Sequence, residues 1–204
     1  MLRVLYCYPE AITDKLIDVI AETPNIAKYI DMPIQHINDD VLKRMNRRNT
    51  RESVYSAVNR IRERCGDIVL RTTLIAGFPE ESYDAHREML NSITELKFDR
   101  LGVFAYSEED GTPAAYREQI PVEIRELRRN TLMQAQREVS LMANEKRIGR
   151  VYEVISEGDM KGRSYAEAPD IDGYIKLDRD IPAGEIVSVR IVSAEEYDLK
   201  GEVL

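Results

Sequence analysis

The chain has almost no cysteine: Cys7 and Cys65 are the only two among 204 residues. Two such thiols exclude a disulfide framework, and without CxxC-type spacing they cannot by themselves hold zinc or an iron–sulfur cluster. Usage this sparse is ordinary for a cytosolic, cytoplasmic protein. Long apolar runs and a basic, apolar leader are also lacking, so the chain reads as soluble, unsecreted and without a membrane partner. Basic residues are in deficit. A formal net charge of −8 argues against a general nucleic-acid binder, which needs surplus Lys and Arg to neutralise phosphates. No repeats or low-complexity segments stand out. What is present is 43% apolar residues, enough for the cores of one ordinary domain and a small second one.

Two architectures follow one another. Over residues 1–145 short apolar runs alternate with helical patterns. Leu2–Tyr8, Tyr29–Gln35, Ile68–Phe78 and Leu101–Tyr106 read as strands. Thr13–Glu22, Asp39–Met45, Thr50–Arg64 and Ser82–Leu96 read as helical, with Thr50 and Ser82 as N-caps. This alternation predicts parallel βαβ units with right-handed crossovers. After Pro121 comes a long helical pattern whose apolar positions are Ile124, Leu127, Leu132, Ala135, Val139 and Met142. Residues 146–204 change character. Glycines and aspartates there separate short β runs at Val151–Ile155, Tyr174–Leu177, Ile186–Ile191 and Gly201–Leu204, the pattern of a small antiparallel barrel. The fold class expected is therefore α/β followed by a small β-barrel. Four βα units are too few to close a barrel, so the chain is expected to be the C-terminal part of something larger.

The richest stretch is Arg71–Glu81, RTTLIAGFPEE. An apolar strand core runs into Gly77, which permits a sharp turn or close approach of a ligand, and Pro79 forbids the strand to continue. Parallel sheets place ligands at such strand ends. Alone, the run is equally a structural βα turn. The second strand ends in Pro33-Ile34-Gln35-His36; a strand-end Gln–His is more often a structural hydrogen-bonding pair than a catalytic one. The fourth ends in VFAYSEEDGT, whose acids are ordinarily solvated surface.

Taken in order, DMPIQH (31–36), VLKRMNRRNTRE (41–52), RTTLIAGFPEE (71–81) and FDRLGVFAYSEEDGTPAA (98–115) resemble the methylthiotransferases of the radical S-adenosylmethionine superfamily. YAEAPDIDGYI (165–175) and AEEYDLKGEV (194–203) resemble the family's C-terminal TRAM domain. The fold this implies is a partial radical SAM (β/α) barrel, the last four of six strands, followed by a TRAM domain from residue 146. PIQH and FDRLGVFAYS are more like the RimO-type branch, which modifies an aspartate of small-subunit ribosomal protein twelve, than the tRNA-modifying branch. Independently, acids outnumber bases after Lys146, which suits a basic protein partner better than tRNA. A tRNA adenosine methylthiotransferase and a non-catalytic ribosomal-protein-binding fragment remain the alternatives.

The resemblance implies roles residue by residue. Gly77 and Glu81 match the family's Gly-Phe-Pro-Gly-Glu turn, with Glu80 in place of its second glycine, and Ile75 matches the apolar position near the adenine. Phe104, Ala105 and Tyr106 match the strand whose backbone meets the adenine. Gln35 and His36 would face the cleft near the substrate. Arg71 would hold the cofactor carboxylate or a neighbouring acid, a buried structural ion pair being the other reading. The family uses S-adenosylmethionine and two [4Fe–4S] clusters, whose cysteine ligands are not in this chain. No metal ligand and no catalytic residue is assigned. By this reading the polypeptide needs a missing N-terminal portion as partner and is inactive alone.

Overall fold

A computed structural model describes all residues, 1–204. Four parallel strands, β1 (Leu2–Val4), β2 (Ile26–Asp31), β3 (Val69–Ala76) and β4 (Arg100–Ala105), form one open sheet in sequence order. The intervening helices are α1 (Asp14–Glu22), α2 (Asp39–Arg44), α3 (Arg51–Arg64) and α4 (Tyr83–Leu96). Each starts where a side chain satisfies an orphan amide: Thr13, Asn38, Thr50 and Ser82 all accept a backbone N–H of the first turn. Such a cap contributes about 1 kcal/mol. A long helix, α5 (Val122–Glu145), follows β4 and packs on α4, β3 and β4.

Strand alternation divides the sheet into two unlike faces. Ile30, Leu70, Leu74, Ala76, Leu101 and Val103 join Ile17, Val58, Ile61, Met89, Ile93 and Leu132 in the main core. The opposite residues, including Tyr29, Asp31, Arg71, Ile75 and Phe104, carry no helical layer. The second strand is shorter than its sequence pattern predicts, ending at Asp31 rather than Gln35. Pro33 has no N–H to give the ladder, and Gln35 turns out of it at φ +67°. Pairing resumes for a single bridge, Gln35 to Leu74.

The buried face of α5 also differs from its apolar pattern. Leu132 and Val139 are buried, but so are Arg125, Gln136, Ser140 and Asn144, while Ile124, Leu127 and Met142 are exposed. The polar side chains are buried because each finds a partner. Gln136 donates to the Phe98 carbonyl at 2.8 Å, and Asn144 Oδ1 accepts from Arg100 at 2.9 Å.

The remaining strands are β5 (Val151–Gly158), β6 (Lys161–Arg163), β7 (Ile175–Leu177), β8 (Ile186–Ala194) and β9 (Leu199–Val203), closed in the order β5-β6-β7-β9-β8. The closure is not wholly antiparallel: β7 and β9 run parallel, while the other neighbours are antiparallel. Gly201 makes the tight interior possible, since a Cβ there would lie 2.2 Å from Val189 Cγ1.

The segment between β6 and β7 leaves the barrel and lies on the helix-free face of the sheet. Ala166 and Ala168 pack against Ala27, Tyr29 and Val69. Tyr29 donates its hydroxyl to Asp172 at 2.7 Å, and Arg3 donates to the Tyr165 and Glu167 carbonyls at 3.0 and 2.9 Å. Glu167 is the buried anchor. Its Oε1 lies 2.9 Å from Arg147 and 3.5 Å from Arg100, and its Oε2 accepts from the amide and hydroxyl of Ser164. The amino half of that sheet face is thereby covered. The carboxyl half is left open.

Candidate functional site

The open half is built by the carboxyl ends of β2, β3 and β4. Register places Ile75 opposite Phe104 and Ala76 opposite Ala105, and Gln35 bridges Leu74. Backbone amides lock the row: Gln35 N donates to Thr73 O at 2.9 Å, Ile75 N to Gln35 O at 2.8 Å, and Tyr106 N to Ala76 O at 2.8 Å. Ile75 is half-buried, Phe104 is 62% exposed, and Gln35 Oε1 is buried without a hydrogen-bond partner. An unpartnered acceptor at the same strand ends as an apolar and an aromatic side chain fits a nucleobase amine or ribose hydroxyl as donor. These residues therefore suit the nucleoside half of S-adenosylmethionine.

Behind the row, the Gly77 turn is held from within. Gly77 sits at φ +75°, and a Cβ there would meet Arg125 Cγ at 2.6 Å. Its amide donates to Glu81 Oε2 at 2.8 Å, and Glu81 Oε1 accepts from Arg128 at 2.8 Å. Both histidines of the chain lean on this carboxylate. His36 Nε2 lies 3.4 Å from Oε2 and His86 Nδ1 lies 3.8 Å from Oε1. Burial pushes the Glu81 carboxyl up, but His36, Arg128 and the Gly77 amide outweigh it and hold it below the usual range.

Two expected positions need correction. His36 does not face a cleft: it is fully buried, its Nδ1 accepting from the Asn38 amide at 2.9 Å, because Gln35 turns the chain inward there. Glu81 is likewise enclosed, so it shapes the turn instead of touching the open face. Arg71 is placed on that face, 2.8 Å from Asp31 and 3.7 Å from Asp172, which is the ion-pair reading. Tyr106 packs edge-on against Phe78 at 5.1 Å, with its carbonyl taken by Arg125 at 3.0 Å. Ala105 is half-buried at the end of its strand. Gln35, Ile75, Gly77, Phe104, Ala105 and Tyr106 thus gather at one end of the sheet. Arg125, Arg128 and Asp31 escaped the sequence reading. The charged residues of α5 look like a solvated helix face until the fold buries Arg125 and half-buries Arg128.

Cys7 and Cys65 do not suit a cluster. Cys65 is in the core, and burial, with Asp31 adding to it, pushes the Cys7 thiol up and keeps it protonated.

Glu80 adopts φ +62° where the family motif has glycine. Its carboxylate makes only half-exposed contacts to Arg44 and Arg117, at 3.6 and 3.1 Å. We expect Glu80→Gly to stabilise the chain by about 0.5–1 kcal/mol, relief of left-handed strain outweighing screened ion pairs. Urea unfolding checks this; a loss of stability would show that the pairs dominate.

His86 is buried and held below its ordinary value, first by desolvation. A depressed histidine contributes stability that is present above its unfolded value of 6.5 and lost as pH falls below it. Tm is expected to drop between pH 7.5 and 5.5, and to drop less in His86→Gln. An equal drop in both proteins would assign the effect elsewhere.

Comparison with known proteins identifies the two parts of the chain. Residues 3–93 match the family model of the Radical SAM superfamily, and residues 148–204 that of the TRAM domain. The chain is 45% identical over 211 residues to the ribosomal protein uS12 methylthiotransferase RimO of Clostridioides difficile (strain 630), covering all of this chain and 48% of that protein. It is 45% identical over 212 residues to the protein of the same name in Geobacter sulfurreducens, covering 47% of it. The chain thus spans about half the length of the curated relatives it matches. Among solved structures, coproporphyrinogen III oxidase (HemN) from Escherichia coli aligns over 72% of this chain and 33% of its own, with TM-score 0.51 at 22% identity. Methanocaldococcus infernus Elp3 aligns over 66% of this chain and 32% of its own, with TM-score 0.52 at 16% identity. At those identities the likeness is one of fold.

Proposed function

Because the chain belongs to the RimO-type methylthiotransferase family of radical SAM enzymes, we propose that it supplies one wall of an S-adenosylmethionine cleft and a docking barrel for ribosomal protein uS12, whose aspartate β-carbon receives the methylthio group. One observation carries the reading: Ile75 and Phe104 stand opposite each other on the bare carboxyl half of the sheet, next to the Gly77 turn, with the half-buried Gln35 bridging the adjoining Leu74. Bound here and served by a [4Fe–4S] cluster, S-adenosylmethionine would supply one-electron radical chemistry. This chain's residues bind and orient. Ile75 and Phe104 offer apolar surface to the adenine, Gln35 Oε1 accepts a hydrogen bond, and Glu81 fixes the Gly77 turn from behind. The cluster ligands belong to polypeptide outside this chain, because neither thiol here suits them. We place the division between cleft wall and docking barrel at residues 145 and 146 and the activity in the cytoplasm. By itself the chain has no reductant for the sulfonium bond and is inactive.

The barrel surface favours a basic protein over tRNA. Glu167, Asp172, Asp178 and Asp198 are spent on internal hydrogen bonds. Glu153, Asp159, Asp170, Asp180, Glu185 and Glu202 point outward. Between them β5 and β8 present Val151, Ile155, Ile186 and Val192, with Ile155 directly opposite Ile186. The barrel's exposed acids outnumber its exposed bases, Lys161, Lys176, Arg179, Arg190 and Lys200, and an apolar strip on such a surface suits a basic protein.

Two titrations test the proposal. S-adenosylhomocysteine is expected to shift amide resonances at Gln35, Ile75 and Phe104, and Phe104→Asp is expected to abolish the shifts. Shifts elsewhere would remove the cleft. The chain is also expected to bind uS12 more tightly than tRNA, less so at higher salt, with Ile155→Lys plus Ile186→Lys weakening it about tenfold or more. Tighter binding to tRNA would transfer the protein to the tRNA branch.

A further inference from the structure

At the opposite end of the sheet lies a cavity of about 450 Å³, between the starts of β3 and β4, the last turns of α5 and the small barrel. Its charge contradicts the rest of the molecule. Arg62, Lys97, Lys146, Arg147 and Arg150 line it against only Asp67 and Asp99, in a chain of net charge −8. Two of the cations are spoken for: Arg147 pairs with Glu167 at 2.9 Å and Arg150 with Asp67 at 3.1 Å. Arg62, Lys97 and Lys146 make no ion pair. Asp99 is itself engaged, accepting the Leu70 amide at 3.0 Å.

The bland account is that these cations neutralise helix ends. The helices α3, α4 and α5 all finish here, and Arg62 donates to the Lys97 carbonyl at 2.7 Å. That account covers most of the charge. Counting Glu167, the partner of Arg147, five cations face three acids, a formal surplus of two. Three helix C-termini present about half a negative charge each, roughly 1.5 in all. It does not account for the placement, which gathers three cations without an ion pair, Arg62, Lys97 and Lys146, on one cavity. Burial also pushes the Arg62 guanidinium down, a cost that an anion in the cavity would relieve.

Tyr152 and Tyr165 form the remaining wall, with ring centroids 6.0 Å apart. Tyr165 is fixed there by its hydroxyl, which donates to the Asp67 carbonyl at 3.1 Å. The space is of the size small ligands occupy, about 300–1,000 Å³.

We propose that this cavity binds a small phosphate monoester carrying a planar ring, of the mononucleotide class. Arg62, Lys97 and Lys146 receive the phosphate and the tyrosine wall receives the ring. The site is separate from the Gly77 end of the sheet and independent of the methylthiotransferase reading.

Calorimetric titration of the whole chain with adenosine monophosphate, inorganic phosphate and hexauridylate tests it. Adenosine monophosphate is expected to bind more tightly than phosphate, and to weaken as salt rises. Lys97→Glu with Lys146→Glu, both exposed and unpaired, should weaken it by about tenfold or more. Phe104→Asp should leave it unchanged, which separates this site from the cleft at the other end. The proposal is overturned by absence of binding at about 10 mM, by binding that survives the double charge reversal, or by adenosine monophosphate binding no more tightly than phosphate. A tenfold preference for hexauridylate would also overturn it, in favour of a strand-binding surface.

Discussion

Glu81→Ala should cost about 3–5 kcal/mol of stability, the scale for removing one partner of a buried ion pair. Glu81 is fully enclosed and serves Arg128, the Gly77 amide and two histidines at once. Removing it leaves the Arg128 guanidinium half-sheltered without a counterion and the Gly77 amide without an acceptor. The damage extends to the site, because the turn it fixes stands beside Ile75 and Phe104. Urea unfolding gives the stability, and loss of the S-adenosylhomocysteine-induced shifts gives the effect on the cleft. Glu81→Gln, which keeps the volume and one acceptor, should fall between wild type and alanine. A loss below about 1 kcal/mol for alanine would show that the network is not cooperative.

A second large effect is expected from Glu167→Ala, also about 3–5 kcal/mol. The residue neutralises Arg100 from the sheet and Arg147 from the end of α5, and it holds Ser164 through two hydrogen bonds. Its loss strands two buried arginines and frees the segment that covers the sheet. Unfolding should then cease to be a single transition, with the small barrel melting apart from the α/β unit. Followed by Tyr fluorescence and by circular dichroism, the two curves should separate in the variant. Coincident curves with unchanged midpoints would deny Glu167 its anchoring role.

Much of the fold was legible because the signals are local. Thr50 and Ser82 are short polar residues before amphipathic runs, and both cap the helices expected of them. The strands β3, β5 and β8 show in their apolar and β-branched residues over eight or nine positions, with burial that alternates along each. The misreadings arise where tertiary partners decide. Nothing local marks Gln136 and Asn144 as buried, since their partners, Phe98 and Arg100, are far along the chain. The three residues of β6 are too few for a pattern, and its Gly162 is there for want of space beside Val154. The parallel seam of β7 with β9 depends on register that only closure of the barrel sets. At the site, strand ends could be read from Gly77 and Pro79, but the burial of His36 could not. It follows from a left-handed turn at Gln35, a residue type that gives no warning of one.

The segment from Ser164 to Gly173 has a bearing on how such proteins can be recombined. Tyr29 and Arg71 on the sheet find their partners in Asp172, and Arg100 finds its partner in Glu167. The small barrel is therefore no interchangeable attachment. A chimera that took its barrel from a distant relative would keep five good strands and still deprive Tyr29 on the neighbouring sheet of its acceptor, and Arg71 and Arg100 of one carboxylate each, unless that one excursion were transplanted in reverse to match its host.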